Sequence, residues 1–470
     1  MALGGGARPV CLASLPGKRI LRGLYSGSGL STRARVDSKG RFFSLGPFGE
    51  LALAVLRAFP QIFLSDSALI FWLFVFLIAM QYQRLAQMEM RLFGLSKNTV
   101  LEQTLISIAY GLLGGLIASF VMVFIGVTVL PAGIAYLWIL ALLLMGIHPR
   151  YMCFSYSGGL ISLSYLLFGV PKVSVAGLMG LVAVLHLTEG ILIWASGSLR
   201  PTPIYLKNRQ DQVVGGFMLQ RFWPVPVIII MVARVIDPSL LSGLIQMPDW
   251  WPLIRPEGID LNAPDVILAM LPVMAGLGYS DVAITQPPRR RSRESARNLF
   301  LFSGILLVLS ILSSYHRLFQ WLAALFSPLG HELVVITSGR RELSGTPLYR
   351  KAERGLMILD VYPGSPAEEL GLKPGDIIID INGQATDNEE DLREAIREFP
   401  YLLEITVLEA GSAVERVLYY RRRVDDLGVL LVPEEGETSG LELRQDGFLL
   451  RFWRETVWPW WQRWRKHGKA

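Results

Sequence analysis

Apolar residues run in long, nearly uninterrupted blocks from about residue 48 to residue 330, and after residue 340 the blocks shorten to strand length. A helix that crosses a bilayer needs about 20 apolar residues, within a range of roughly 17–25. That pattern predicts spanning helices at Ser67–Tyr82, Thr104–Leu130, Ala132–Ile147, Met152–Gly169, Val173–Ala195 and Asn298–Ser314. Trp223–Ile236 and Val266–Tyr279 are shorter but have apolar flanks, and predict two more. Phe48–Leu64 carries Glu50, Arg57 and Pro60, and Leu318–Leu329 is short. With or without these two weak segments, the expectation is about 8–10 transmembrane helices in a polytopic domain at 46–335.

The remainder alternates differently. Gly355–Val361 and Ile377–Ile381 are apolar runs of strand length. Between them lie the turns Tyr362-Pro363-Gly364-Ser365-Pro366 and Gly371-Leu372-Lys373-Pro374-Gly375-Asp376, with a short helix at Ala367–Leu370. Asn382-Gly383 is a hairpin signal. Asn388–Phe399 predicts a helix with Leu392, Ala395, Ile396 and Phe399 on one face, and Leu403–Leu408 and Val414–Tyr420 predict two more strands. This is a small α+β domain at 340–424.

The fixed offsets of Gly355, Pro363-Gly364-Ser365-Pro366-Ala367, Gly371-Leu372-Lys373-Pro374-Gly375-Asp376-Ile377-Ile378 and Ile381-Asn382-Gly383 resemble a bacterial PDZ domain. The resemblance implies a peptide groove between a strand and a helix, where an extended partner segment adds to a sheet edge. It implies a carboxylate nest on the N–H groups of Gly355, Leu356 and Met357, with Leu356, Ile358, Leu392 and Ile396 lining the groove. Alternatively, the groove is occupied internally, or the domain only pairs two copies of the chain as a homo-oligomer.

A polytopic domain followed by one PDZ domain is similar in plan to the MinJ family of Gram-positive cell-division topological determinants. His186-Leu187-Thr188-Glu189-Gly190 and Gly278-Tyr279-Ser280-Asp281 also resemble that family. The resemblance implies a non-catalytic membrane scaffold that recruits division-site regulators through its PDZ domain. An N-terminal leader and a Trp-rich tail depart from the family pattern.

Composition and charge sharpen this picture. The 470-residue chain is 52% hydrophobic and 18% charged, against about a quarter charged in soluble proteins. Its net charge of +6 suggests nucleic-acid binding only until it is located. Residues 1–45 hold eight basic side chains and one acid, so the rest sums to −1. No nucleic-acid partner is expected. The leader reads as a disordered basic tail, a transit peptide, or the product of a start codon assigned too early. Arg and Lys mark 83–103, 197–221 and 281–297 as loops on one side, the inside, of a bacterial plasma membrane, with both termini cytoplasmic. Trp250 and Trp251 read as interfacial anchors in the acidic segment 237–265. Residues 425–470 read as an acidic linker and an interfacial tail in which Trp453, Trp458, Trp460, Trp461 and Trp464 mix with Arg and Lys, making the lipid bilayer a partner.

Candidate chemistry is sparse. His186 and Glu189 share one helix face within a predicted span. Such an intramembrane pair holds a metal, relays protons for a transporter, or is a buried structural pair. The last of these is the expectation. His331-Glu332-Leu333-Val334-Val335 is half of the H-E-x-x-H that a zinc peptidase needs, since Val335 replaces the second imidazole. His331 is expected where the last apolar segment meets water. No catalytic residue, cofactor or metal is expected, and a site-2-type peptidase relative, or a regulator of one, is the alternative. The two cysteines, Cys11 and Cys153, form no recognisable framework.

Overall fold

The computed structural model describes residues 8–10 and 46–433, apart from 65–66, 95, 208–211, 235–244, 262, 264, 410–411 and 420–422. The membrane part opens with strand β1 (Arg8–Val10), then α1 (Pro47–Ala58), α2 (Ser67–Phe93), α3 (Val100–Ile125), β2 (Thr128–Val129), α4 (Pro131–Ile147), α5 (Phe154–Phe168) and α6 (Val175–Ser196). Strands β3 (Thr202–Lys207), β4 (Val213–Arg234), β5 (Ile245–Met247) and β6 (Val266–Ala283) follow, then α7 (Pro288–Ser313) and α8 (Arg317–Ser344). Helix ends have local causes. Thr99 and Ser174 accept backbone N–H groups at the starts of α3 and α6, and Gly126 closes α3 at φ +76°. Among the described residues, α2, α3, α6, α7 and α8 are the five helices long and apolar enough to cross a membrane, and α4 and α5 are shorter apolar ones. Helix α6 is central, with every side chain from Val175 to His186 buried.

Two expected spans are not helices. Trp223–Ile236 falls largely in β4 and Val266–Tyr279 in β6, and these strands pair antiparallel from Phe217↔Ala283 to Arg234↔Val266. Non-helical backbone persists in a membrane domain only where protein covers its polar groups, and the edge of β4 away from β6 is covered by α3, β2 and β3. Pro224 and Pro226 have no N–H to present to α3. Ile228 N–H donates to Ser119 Oγ at 2.9 Å, and Ile230 pairs with Thr128 of β2. Toward the other end, Val213–Met218 pairs with β3. Gly111 and Gly115 let α3 lie directly on the Pro224 and Pro226 carbonyls, where a Cβ would come to 2.4 and 2.1 Å. Pro-x-Pro thus marks a strand edge, not part of a spanning helix.

Of the leader, Arg8–Val10 is described and pairs with β5. One further expectation is corrected. Trp251 is fully buried, with its indole N–H donating to the Val123 and Phe124 carbonyls, so only Trp250 is exposed like an anchor.

The α+β part comprises β7 (Leu356–Val361), α9 (Pro366–Glu369), β8 (Ile377–Ile381), β9 (Gln384–Ala385), α10 (Glu389–Glu398), β10 (Leu402–Glu409), β11 (Ser412–Tyr419) and β12 (Val429–Leu431). The sheet order is β11-β10-β8-β7-β12, with β9 pairing β8. Asn388 and Asp391 form a reciprocal capping box that starts α10. Its Leu392, Ala395 and Ile396 pack with Leu356, Ile358, Leu403, Ile405 and Leu427 in one core. The strand β12 lies in the segment expected to be linker. The five Trp residues of the tail lie outside the described residues.

Candidate functional site

An extended partner segment needs an open sheet edge. The expected edge, β7, is closed on both sides: Leu356 and Met357 pair with Ile378 and Ile377, and Val361 and Asp360 pair with Val429 and Leu430 of β12. Of the N–H groups expected to form the nest, that of Gly355 is engaged, as is that of Ile358 beyond it. Gly355 N–H donates to Asp387 Oδ1 at 3.3 Å, and Ile358 N–H donates to the Asp376 carbonyl at 2.8 Å. Gly355 sits in a turn at φ +80°, Leu356 and Ile358 are buried in the PDZ core, and half-buried Met357 packs against the membrane-domain core.

The edge has moved one strand outward, to β12. Its inward groups are identified by Tyr362 N–H donating to the Gly428 carbonyl and Val432 N–H donating to the Met357 carbonyl. Antiparallel alternation then turns the N–H and C=O of Val429 and Leu431 away from β7. No described strand flanks that side. Val429 and Leu431 pack against the core that holds Leu392 and Ile396 of α10. The loop before β12 is sharply bent. Gly428 has φ +76°, and a Cβ there would meet Ser365 Cβ at 2.2 Å. The Asp426 carboxylate accepts Gly428 N–H at 3.0 Å. The far end of β12 touches the membrane part: Tyr205 Oη donates to the Leu431 carbonyl at 2.8 Å. The sequence signal for this strand was the run Leu427-Gly428-Val429-Leu430-Leu431-Val432, set between acids.

The PDZ sheet is docked on the membrane part through its other face. Leu359 and Tyr349 are buried in the membrane-domain core, and Gly215 N–H donates to the Tyr349 carbonyl at 3.0 Å. Lys97 Nζ contacts both carboxylate oxygens of Asp360, at 2.8 and 2.9 Å. Burial still pushes the Asp360 carboxyl above its usual range, with Lys97 pulling the other way. Burial likewise pushes Tyr349 up to about 12.

In the membrane part, His186 does not face Glu189 as a pair. Its Nδ1 meets the Val182 carbonyl at 2.7 Å and its Nε2 meets Cys153 Sγ at 3.0 Å. His331 lies inside α8 and not at its end, 3.6 Å from the same sulfur. Neighbouring Glu332 accepts from Tyr156 Oη at 2.6 Å and pairs with Arg150 at 3.1 Å. Asp281, of the Gly278–Asp281 stretch, pairs at 2.8 Å with Arg291, one of the loop arginines, which is buried.

A PDZ domain model matches residues 357–408. MinJ, the cell division topological determinant of Bacillus subtilis, is 23% identical over 398 residues, 79% of this chain and 94% of MinJ. Along most of its length the chain is similar to MinJ. A probable cell division topological determinant MinJ of Lacticaseibacillus paracasei is 25% identical over 272 residues, 55% of this chain and 66% of the relative. Serine protease HTRA1 of Xenopus tropicalis is 35% identical over 83 residues, only 18% of this chain and 15% of the protease. The chain is thus a MinJ-like membrane protein with a C-terminal PDZ domain. The MinJ likeness takes in membrane and PDZ parts together, and the protease likeness does not. Like other PDZ domains, this one indicates binding to peptide segments of proteins.

Proposed function

We propose that the chain is a non-catalytic membrane scaffold that recruits division-site proteins through its PDZ domain. The observation that carries this is the similarity to a division topological determinant across nearly the whole of that relative. The partner segment adds as a strand on the outer edge of β12, between it and α10, with apolar side chains meeting Val429, Leu431 and the Leu392–Ile396 face.

The PDZ side of the membrane part is the cytoplasmic side in this reading. All three basic loops reach the PDZ end: Lys97 through Asp360, the 197–221 segment through Tyr205 and Gly215, and the 281–297 segment through the Glu294–Arg341 ion pair at 3.0 Å. Excess Lys and Arg stays inside. The PDZ domain is then cytoplasmic, in a multi-pass plasma-membrane protein, whereas Arg8–Val10, paired with β5, and α1, packed on Val123, Met247 and Trp251, lie at the opposite end of the membrane part.

A fluorescently tagged full chain should concentrate at division sites and poles. Val429→Pro deletes an outward N–H that β7 does not use, so the fold should survive while partner recruitment is lost. Uniform membrane fluorescence from the unaltered chain would sink the reading. Unchanged recruitment by Val429→Pro would remove β12 as the docking edge.

A further inference from the structure

Three side chains from three different helices converge inside the membrane part: Cys153, which caps α5, His186 at the middle of α6, and His331 at the middle of α8. Their donor atoms all lie within 4.8 Å of one another. Cys153 Sγ is 3.0 Å from His186 Nε2 and 3.6 Å from His331 Nε2.

Hydrogen bonding fixes which ring nitrogens face the sulfur as lone pairs. A carbonyl only accepts, so the 2.7 Å contact to Val182 requires the proton on His186 Nδ1. Tyr156 commits its hydroxyl proton to Glu332 at 2.6 Å. Its oxygen therefore accepts from His331 Nδ1 at 3.3 Å. Both Nε2 atoms are left unprotonated and both point at one sulfur. A single thiol proton can serve one of them, and the other lone pair then faces sulfur with nothing between. A cation at the centre satisfies all three. Imidazoles whose Nδ1–H is held by a carbonyl or a carboxylate-linked hydroxyl have the outer-shell arrangement of metal-ligating histidines. Ser155 N–H also donates to Cys153 Sγ, at 3.4 Å.

We propose that Cys153, His186 and His331 bind one zinc ion. Zinc bonds of about 2.3 Å to sulfur and 2.0–2.1 Å to nitrogen, set tetrahedrally, hold S and N about 3.6 Å apart. One contact is at that distance and the other needs only a slight opening. The thiol gives up its proton as the metal binds, and one tetrahedral position goes to a non-protein ligand. The ion ties α5 and α8 to the buried central helix α6. The polar chain Tyr156–Glu332–Arg150 links the site to the surface, where Arg150 is 39% exposed along its side chain.

The test uses the full-length protein in detergent micelles. Metal analysis should find about one zinc per chain, removable by a strong chelator and absent from Cys153→Ser and His331→Gln. Cobalt added to the stripped protein should give a thiolate-to-cobalt charge-transfer band. That band should vanish in Cys153→Ser, weaken strongly in His331→Gln and return in His331→Cys. Recovery in His331→Cys separates lost ligation from lost folding. Glu189→Gln should leave it intact. No bound metal and no cobalt band in the unaltered chain would overturn the proposal. So would a band that Cys153→Ser leaves unchanged, or stoichiometric copper in place of zinc.

Discussion

At the scale of single residues, two acidic side chains set what a peptide would meet at the PDZ loops if it docks as proposed. Asp426 already occupies Gly428 N–H, and Asp387 occupies Gly355 N–H. A peptide's terminal carboxylate arriving at either loop meets a like charge and finds a donor already engaged. An internal extended segment brings no such charge and needs only the outward N–H and C=O of Val429 and the outward N–H of Leu431, whose carbonyl Tyr205 already occupies. Asp426→Ser frees the donor and removes the charge. It should raise affinity for a free C-terminus roughly tenfold, the equivalent of about 1.4 kcal/mol, while leaving internal segments unaffected. Fluorescence anisotropy with one peptide, free or amidated at its C-terminus, reads this directly. Equal gains for both forms would disprove it. The sequence carried the domain's turns and strands, because glycine and proline offsets are local signals. It did not carry the identity of the open edge, which depends on β12 pairing with a strand about 70 residues earlier. Cys153 was opaque for the same reason: its neighbours His186 and His331 lie on other helices, at no telling spacing.

At the scale of elements, the β4–β6 ribbon explains why hydropathy alone misjudged two spans. An apolar run buried on every side lacks the period that separates helix from strand. Length, and the alternating prolines Pro224 and Pro226, were the remaining signals. Once paired, the ribbon makes stringent demands on α3. Gly115→Ala drives a methyl into the Pro226 carbonyl, with the unstrained Cβ at 2.1 Å, so strand and helix must separate. Overpacking of this kind costs about 1–3 kcal/mol. Pro226→Ala keeps the shape but adds an N–H facing α3, and an unpaired buried donor costs about 1–3 kcal/mol. Both variants should lower the thermal midpoint of the detergent-solubilised chain. Gly304→Ala, where a Cβ meets nothing within 4 Å, should not. A Pro226→Ala variant as stable as the unaltered chain would mean that α3 offers that N–H an acceptor.

At the scale of the whole molecule, the PDZ domain is docked and not tethered, and one ion pair at the seam makes the docking sensitive to pH. Asp360 projects from β7 to Lys97 in the loop between α2 and α3, with side-chain exposures of 9% and 18%. Burial raises the Asp360 carboxyl above the roughly 3.9 of an unfolded aspartic acid. A carboxyl raised in the native state binds its proton more tightly there, so its ionisation costs stability. That cost is absent below the unfolded value and develops as pH rises through the raised native value. Lys97 offsets it only when Asp360 is charged. Lys97→Met should therefore be nearly silent below about pH 4 and increasingly destabilising toward neutrality. The roughly 3–5 kcal/mol of a broken buried pair is its upper bound, since Lys97 is partly hydrated. Asp360→Asn should cost less at neutral pH, because Lys97 can turn to water while a stranded carboxylate cannot. Thermal midpoints of the three proteins across this pH range test the argument. A gap between Lys97→Met and the unaltered chain that does not change with pH would show that the seam is held by Leu359 and Tyr349 packing, with no contribution from charge.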